Sequence, residues 1–240
     1  MFSPRRSALS LSLVALTGAL AVGPALGAQA ASTSPTAASL LTLTKNSLST
    51  ESGVHIVVTT LNNKVKSSVV ADIGTTSGTE TYTSGAETFT ISVTPTFAYL
   101  SGSKTGLVNI MGLSAAQQKA LGTHTLKMKK GTSQYTSFHS NLTANAYSQL
   151  LPATKGTTLL SKRDKATNGY QLTWTTKATS SSPKTVSVMV VSSGAKALPL
   201  RESVTTSSGS SKTTFTKWGE FVAIKVPTNT IAYSKVFGSS

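Results

Sequence analysis

Hydrophobic and polar positions alternate over most of the chain, as they do in strands that have one buried and one solvated face. Val186, Val188 and Val190, for example, are separated by single residues. The segment 184–227 predicts three or four successive strands, and the segment 53–101 predicts a longer meander. The pattern therefore predicts a mainly β fold of about ten or eleven antiparallel strands, with a few helices.

Three segments depart from this alternation and predict helices. The clearest runs from Ser114 to Leu121, with Ser114 as N-cap, Gln117 at the capping-box position and Gly122 after the last turn. Segment 140–151, which precedes a proline, predicts a second helix, and segment 40–48 predicts a short helix lying over the sheet. These helices punctuate the sheet and do not form a second domain.

A tight hairpin is predicted around Asn168 and Gly169, because an Asn-Gly pair favours the turn that joins two antiparallel strands. Segments 159–163 and 170–175 would supply the two strands. Tyr170, for example, would then share one face of the hairpin with the apolar residues two and four positions further on.

The first thirty residues have the features of an export signal. Arg5 and Arg6 precede the apolar segment 7–27, and Ala28-Gln29-Ala30 fits a cleavage site. We expect cleavage before Ala31, use of the general secretory route and an extracytoplasmic location. Residues 31–39 then predict a flexible linker, and residues 40–237 a single domain.

Composition narrows the possible chemistry. The chain has no cysteine, which excludes disulfides, thiol catalysis, cysteine-ligated metals and lipid attachment at a signal-peptide cysteine. Without Arg5 and Arg6, 20 basic and 7 acidic side chains remain (22 − 2 = 20), a net charge of +13. A field of that sign attracts anionic surfaces. For most of the lysines, however, the favoured explanation is that they keep a polar strand surface soluble.

The titratable residues form no pattern typical of catalysis. The three histidines, His55, His124 and His139, lie in unrelated segments. Segment 112–116 begins like a nucleophile elbow but lacks the second glycine. The sequence therefore predicts no serine hydrolase.

The acidic residues are equally uninformative about catalysis. Asp72, Glu80 and Glu87 fall on neighbouring predicted strands, and we expect them to be exposed charges that offset nearby lysines. No spacing of histidines and acids is typical of a metal site, and no glycine-rich loop leads into a helix. We expect neither a cofactor nor a metal.

Several short motifs follow one another in a definite order along the chain. They are Val54-His55-Ile56, Val70-Ala71-Asp72-Ile73-Gly74, Phe97-Ala98-Tyr99-Leu100, Leu198-Pro199-Leu200-Arg201, Phe215-Thr216-Lys217-Trp218-Gly219 and Val226-Pro227. In order and spacing they resemble the LppX/LprG-type actinobacterial lipoproteins, relatives of the LolA and LolB carriers, from about residue 40 to residue 230. The resemblance implies a strongly curved antiparallel sheet, an incomplete barrel, whose concave face is covered by helices and holds acyl chains.

On that fold, three sets of residues become candidates for ligand contact. The expected cavity lining is Ile56, Val58, Phe89, Ile91, Tyr99, Tyr170, Leu172, Trp174 and Trp218. In the connection 106–112 and the residue after it, Ile110, Met111 and Leu113 would either form a flexible lid or simply anchor the loop by their apolar side chains. Contacts with a head group or an anionic membrane are expected from Lys127, Lys129, Lys130, Lys162 and Arg163.

The sequence thus predicts a secreted, non-catalytic carrier of an actinobacterial cell envelope. Its expected ligand is the acyl chain of a lipid, glycolipid or lipoprotein, and nucleic acid is not an expected partner. The alternative is a wall-associated protein with a filled interior, whose lysines bind anionic wall polymers. A hydrolase of esters or glycans is a third class, for which no site is found.

Overall fold

The computed structural model describes residues 35–152, 158–178 and 183–238. The expected export signal and the first four residues of the expected linker lie outside this part of the chain. The described residues form one twelve-stranded sheet. Its strands are β1 (Gly53–Asn62), β2 (Val65–Gly74), β3 (Gly78–Ser84), β4 (Glu87–Val93), β5 (Phe97–Gly102), β6 (Thr125–Lys129), β7 (Thr158–Asp164), β8 (Gly169–Thr176), β9 (Thr185–Val191), β10 (Pro199–Thr205), β11 (Gly209–Thr216) and β12 (Thr230–Ala232).

The strand order is β12-β6-β5-β4-β3-β2-β1-β11-β10-β9-β8-β7, so the sheet is open and does not close on itself. The predicted fold class, a mainly β protein built on one large open sheet, is confirmed. Two details of the prediction are wrong. The sheet has twelve strands, and it is mixed because β12 pairs with β6 in the parallel direction.

The parallel pair follows from an early end to β11. The sequence predicts that the last strand continues to Pro227, but β11 ends at Thr216. Lys217 and Gly219 both have positive φ angles, 54° and 83°, which a regular strand does not tolerate. The segment 217–229 therefore leaves the ladder and crosses to the far edge, where β12 forms.

The helices differ from the prediction more than the strands do. They are α1 (Ala37–Ser49), α2 (Lys104–Met111), α3 (Ala115–Leu121), α4 (Ser133–Asn141), a 3₁₀ helix (Ala144–Leu150) and α5 (Tyr233–Phe237). The capping box of α3 is confirmed. The other helices begin at positions that differ from the predicted ones, because hydroxyl side chains cap helices that the apolar pattern does not reveal. Thr36 caps α1 inside the expected linker, Ser103 caps α2 and Thr132 caps α4.

One face of the sheet carries the core, and we call it the inner face. Cross-strand register places one fully buried set of side chains in a single row across this face: Ile56, Ala71, Ile91, Leu100 and Leu126. Helices α2 to α5 pack over β4, β5 and β6, the 3₁₀ helix packs over β1 and β2, and α1 packs over β8 and β9. The helices thus cover the inner face in three hydrophobic clusters.

None of the helices among the described residues is both long and apolar enough to cross a membrane.

Candidate functional site

A second row of side chains crosses the inner face two residues away from the buried row. Register places these residues side by side on six consecutive strands, from β10 to β4: Glu202, Thr213, Val58, Val69, Tyr82 and Phe89. We call this set the inner row. All of its members except Val69 are only half-buried.

The inner row lies where the helical cover of the sheet ends. Val58 and Tyr82 pack against the cluster beneath the 3₁₀ helix, and Phe89 packs against the cluster beneath α2. Five inter-strand steps of about 4.8 Å separate Glu202 from Phe89, which gives the row a length of about 24 Å. Glu202 and Thr213 are polar, and the apolar and aromatic part of the row, from Val58 to Phe89, spans three steps or about 14 Å. Left partly open on the inner face, this strip can hold part of an extended hydrocarbon chain by the hydrophobic effect.

The structure divides the expected cavity residues among different surroundings. Val58 and Phe89 lie together in the inner row. Ile56, Ile91, Leu172 and Trp174 are buried in the three separate clusters, and Tyr170 and Trp218 are half-buried at the edges of two of them. These side chains therefore pack the interior beside the inner row.

Tyr99 does not belong with this set. Its register partners are Ser92 and Lys127, in a row that continues through Thr79 and Asp72 on the opposite, outer face. The sequence shows a strand at 97–102 but not which of its faces points inward, since Ala98, Tyr99 and Leu100 are all buried. We therefore remove Tyr99 from the candidate site.

The expected lid is a helix and not a flexible loop. Ile110 and Met111 belong to α2, where they pack partly buried against the cluster over β4 and β5, and Leu113 is buried just beyond the helix. Gly106 makes the close approach possible, because a Cβ there would overlap the backbone carbonyl oxygen of Thr88. These residues thus lie beside the inner row, on an element that is docked against β4.

Most of the expected head-group residues point away from the inner row. Lys127 and Lys129 alternate with the buried Leu126 and Met128 and so lie on the outer face, where the Lys127 Nζ sits 3.9 Å from the centroid of the Phe97 ring. Lys162 pairs with Gln171 on the outer face, and Lys130 follows the end of β6. Only Arg163 pairs with an inner-face residue, Tyr170, and its guanidinium lies over that ring.

Two carboxylates on the inner face were not anticipated. Glu80 lies in the buried row between Ala71 and Ile91, so the expectation that it is an exposed charge is wrong. Glu202 lies in the inner row between Met189 and Thr213. The alternation along β3 and β10 is the signal that could have revealed them, because each glutamate occupies an inward position of its strand.

The surroundings of both glutamates favour the neutral acid. No described side chain pairs with either carboxylate as an ion pair. Burial raises the pKa of Glu80 above its ordinary value, and it raises the pKa of Glu202 from 4.5 to about 7. Near neutral pH the Glu202 carboxyl can therefore exist in both forms at the open edge of the inner face.

The outer face carries a second arrangement of polar groups. The His55 Nδ1 lies 2.7 Å from the Asp72 Oδ1, in a pocket of about 300 Å³ that is bounded on its other side by the segment 217–223. Across the described ranges, no cluster of three histidine or acidic side chains is arranged to hold a metal ion. The pair links β1 to β2, and no nucleophilic side chain forms a hydrogen bond with His55 among the bonds described.

Comparison with solved structures finds distant similarity to several bacterial proteins. Lipoprotein LppX of Mycobacterium tuberculosis is similar at 14% identity and a TM-score of 0.47, over 78% of this chain and 98% of that one. LprF of Mycobacterium bovis is similar at 13% identity and a TM-score of 0.45, over 80% of this chain and 96% of that one. An uncharacterized conserved protein of Thermus thermophilus is similar at 8% identity and a TM-score of 0.43, over 82% and 97% of the two chains.

One of these proteins, LppX, bears a name of the lipoprotein family that the sequence resembles. No protein-family model matches the sequence, and no curated protein matches it either.

Proposed function

We propose that the protein is an extracytoplasmic, non-catalytic carrier that binds an acyl chain along the inner row. The observation that supports the proposal most strongly is the contrast between two neighbouring rows of the inner face. The apolar residues of the row through Ile56 are buried beneath helices, whereas Val58, Tyr82 and Phe89 in the neighbouring row remain half-exposed.

Burial of this strip by a hydrocarbon chain would supply the binding energy. Each Å² of apolar surface removed from water contributes about 25 cal/mol, so a few hundred Å² would give an affinity useful to a carrier. The ring of Tyr82 stacks on that of Phe89, which gives the strip a broad and rigid surface. The helices α1, α2 and the 3₁₀ helix would flank the bound chain.

The experiment uses two adjacent valines that face opposite sides of the sheet. Val58→Asp places a charge in the inner row, and Val57→Asp places the same charge on the outer face of the same strand. The probe is the methyl ester of cis-parinaric acid, a fluorescent acyl chain without a charge. We expect Val58→Asp to weaken its binding at least about tenfold, because the chain would have to desolvate a carboxylate, and Val57→Asp to leave binding unchanged.

Circular dichroism and urea unfolding establish that each variant is folded. Equal binding by the two folded variants and the wild type would place the probe elsewhere, and no binding of the ester to any of them would reject the carrier proposal.

One observation favours a second candidate function. Lys127, Lys129 and Lys162 lie on the outer face, away from the inner row, where they are free to contact an anionic polymer of the cell wall. Such binding would depend on exposed charges and would weaken steeply as salt is added. A chain buried against the inner row would remain bound in high salt, so a salt titration separates the two functions.

A further inference from the structure

We propose that a pocket between α2 and α3 binds the anionic head group of the carrier's ligand, so that the ligand is an amphiphile with a negatively charged head. The pocket has a volume of about 340 Å³ and lies at the end of β5. Its main lining residues are Gly102, Lys104, Leu107, Leu113, Lys119 and Leu121. This inference rests on the proposed function and adds the chemistry of the head group.

The pocket has an apolar floor and a basic rim. Leu107, Leu113 and Leu121 are buried residues of the cluster over β4 and β5, and their side chains form the floor. Lys104 and Lys119 are exposed and stand on different helices on the rim. An amphiphile requires this combination, because its chain needs an apolar surface and its charged head needs an opposite charge a few ångströms away.

No acidic side chain lines the pocket. Neither rim lysine takes part in an ion pair within the described ranges, whereas Lys196 pairs with the buried Glu51 at 2.6 Å. The carboxylate of Glu87, which lies below α2, already accepts a hydrogen bond from Asn109 at 2.6 Å. The two rim charges are therefore available to a ligand.

The position of Lys104 is unfavourable for the helix that carries it. Lys104 is the first residue of α2, and the first turn of this helix contains no acidic side chain. The N-terminal end of a helix carries a partial positive charge, so a cation there costs stability. Lys119, by contrast, lies in the last turn of α3, where a cation is favourable. A ligand anion beside Lys104 would offset the unfavourable charge at the start of α2.

The pocket adjoins the end of the inner row. Gly102 lines the pocket and is the register partner of Phe89, the last residue of the inner row. A Cβ at Gly102 would overlap the Thr88 carbonyl oxygen and the Phe89 backbone. The strands β4 and β5 therefore lie close together where the row meets the pocket, and a chain bound along the row could place its head between the two lysines.

The test compares cis-parinaric acid with its methyl ester, which differ only in the head-group charge. Wild-type protein should bind the acid about tenfold more tightly than the ester, which corresponds to about 1.4 kcal/mol. The double variant Lys104→Gln/Lys119→Gln should lose this preference and bind the ester as the wild type does. The matched control, Lys64→Gln/Lys66→Gln, removes the same charge from the exposed β1–β2 turn and should keep the preference.

The outcomes separate the two proposals. Equal binding of acid and ester by wild-type protein would overturn the head-group assignment and leave the carrier function standing. A preference for the acid that survives in the Lys104/Lys119 variant and disappears in the Lys64/Lys66 control would also overturn it. Failure of wild-type protein to bind either probe would reject the carrier function itself.

Discussion

Tyr82 and Phe89 stack face to face across β3 and β4, with ring centroids 5.0 Å apart and an interplanar angle of 21°. They are direct cross-strand partners in the inner row. Offset stacking adds about 0.5–1.5 kcal/mol beyond the burial of the two rings. The pair therefore fixes the shape of the half-exposed strip at the end that adjoins α2.

Replacing Phe89 by alanine tests whether this pair supports the fold as well as the strip. Because Phe89 is half-buried and packs against the cluster beneath α2, we expect Phe89→Ala to lower the free energy of unfolding by about 2 kcal/mol. Urea unfolding measures the effect. Leu160→Ala is the control, since Leu160 is 63% exposed on an edge strand and its loss should change stability by less than about 0.5 kcal/mol. A similar loss in the two variants would argue against tight packing at Phe89.

The carboxyl of Glu202 predicts a particular dependence of stability on pH. Its pKa is raised to about 7 in the folded protein from an ordinary value of 4.5, so the folded state holds the proton more tightly than the unfolded state does. Stability from this group is therefore complete below about pH 4.5, falls as the pH rises towards 7 and is constant above that. The expected loss is on the order of 2–3 kcal/mol.

Glu202→Gln should remove this dependence, because glutamine keeps the shape and does not titrate. Between pH 5 and pH 8 the free energy of unfolding should fall further in the wild-type protein than in the variant. Urea unfolding of both proteins at the two pH values measures the difference. Two other carboxyl groups also have shifted pKa values: burial raises the pKa of Glu80, and chiefly the hydrogen bond from Thr167 lowers the pKa of Asp164. Both groups are present in the wild type and in the variant, so their contributions cancel in the comparison. Equal pH dependence in the two proteins would show that Glu202 is well solvated.

The docking of α2 on β4 depends on the absence of a side chain at Gly106. In Gly106→Ala the new methyl group would overlap the Thr88 carbonyl oxygen, so the helix must shift away from the strand. We expect a net loss of about 1–3 kcal/mol, even though alanine favours the helix by up to about 1 kcal/mol. Thermal unfolding measures the loss.

Gly194→Ala serves as the control for that variant, because the nearest atom to an added Cβ at Gly194 is 3.9 Å away. Unchanged stability in Gly106→Ala would mean that α2 moves freely over β4. The residues Ile110 and Met111 would then be candidates for a mobile cover once more.

Alternation in the sequence predicted most of the strands, and it failed at segment 217–227, where positive φ angles at Lys217 and Gly219 end the ladder. The hairpin of β7 and β8 was predicted, but its turn is not a two-residue Asn-Gly turn: Asp164 pairs with Gly169 across a four-residue connection, and only Asn168 in it has a positive φ. The helix α2 was not predicted, since its apolar residues fall between glycines and its start depends on a single capping serine, Ser103.

The candidate site was predictable only in part. Val58 and Phe89 follow from the alternation, but the burial of Ile56 and Leu172 depends on which helices cover them, and this is a matter of long-range packing. Lys104 and Lys119 were missed because they are separated by fifteen positions and meet only where α2 and α3 form a corner. The sequence instead predicted head-group contacts from basic residues that are close together in the chain, such as Lys127 and Lys129, and these lie on the outer face of the sheet.

The central claim is that the inner row holds an acyl chain, and native mass spectrometry of the protein purified from bacteria tests it most directly. We expect a stoichiometric adduct of lipid mass that disappears on denaturation and is absent from the Val58→Asp variant. A bare mass that persists after incubation with a bacterial lipid extract would contradict the claim, and the half-exposed inner row would then be the edge of a filled core.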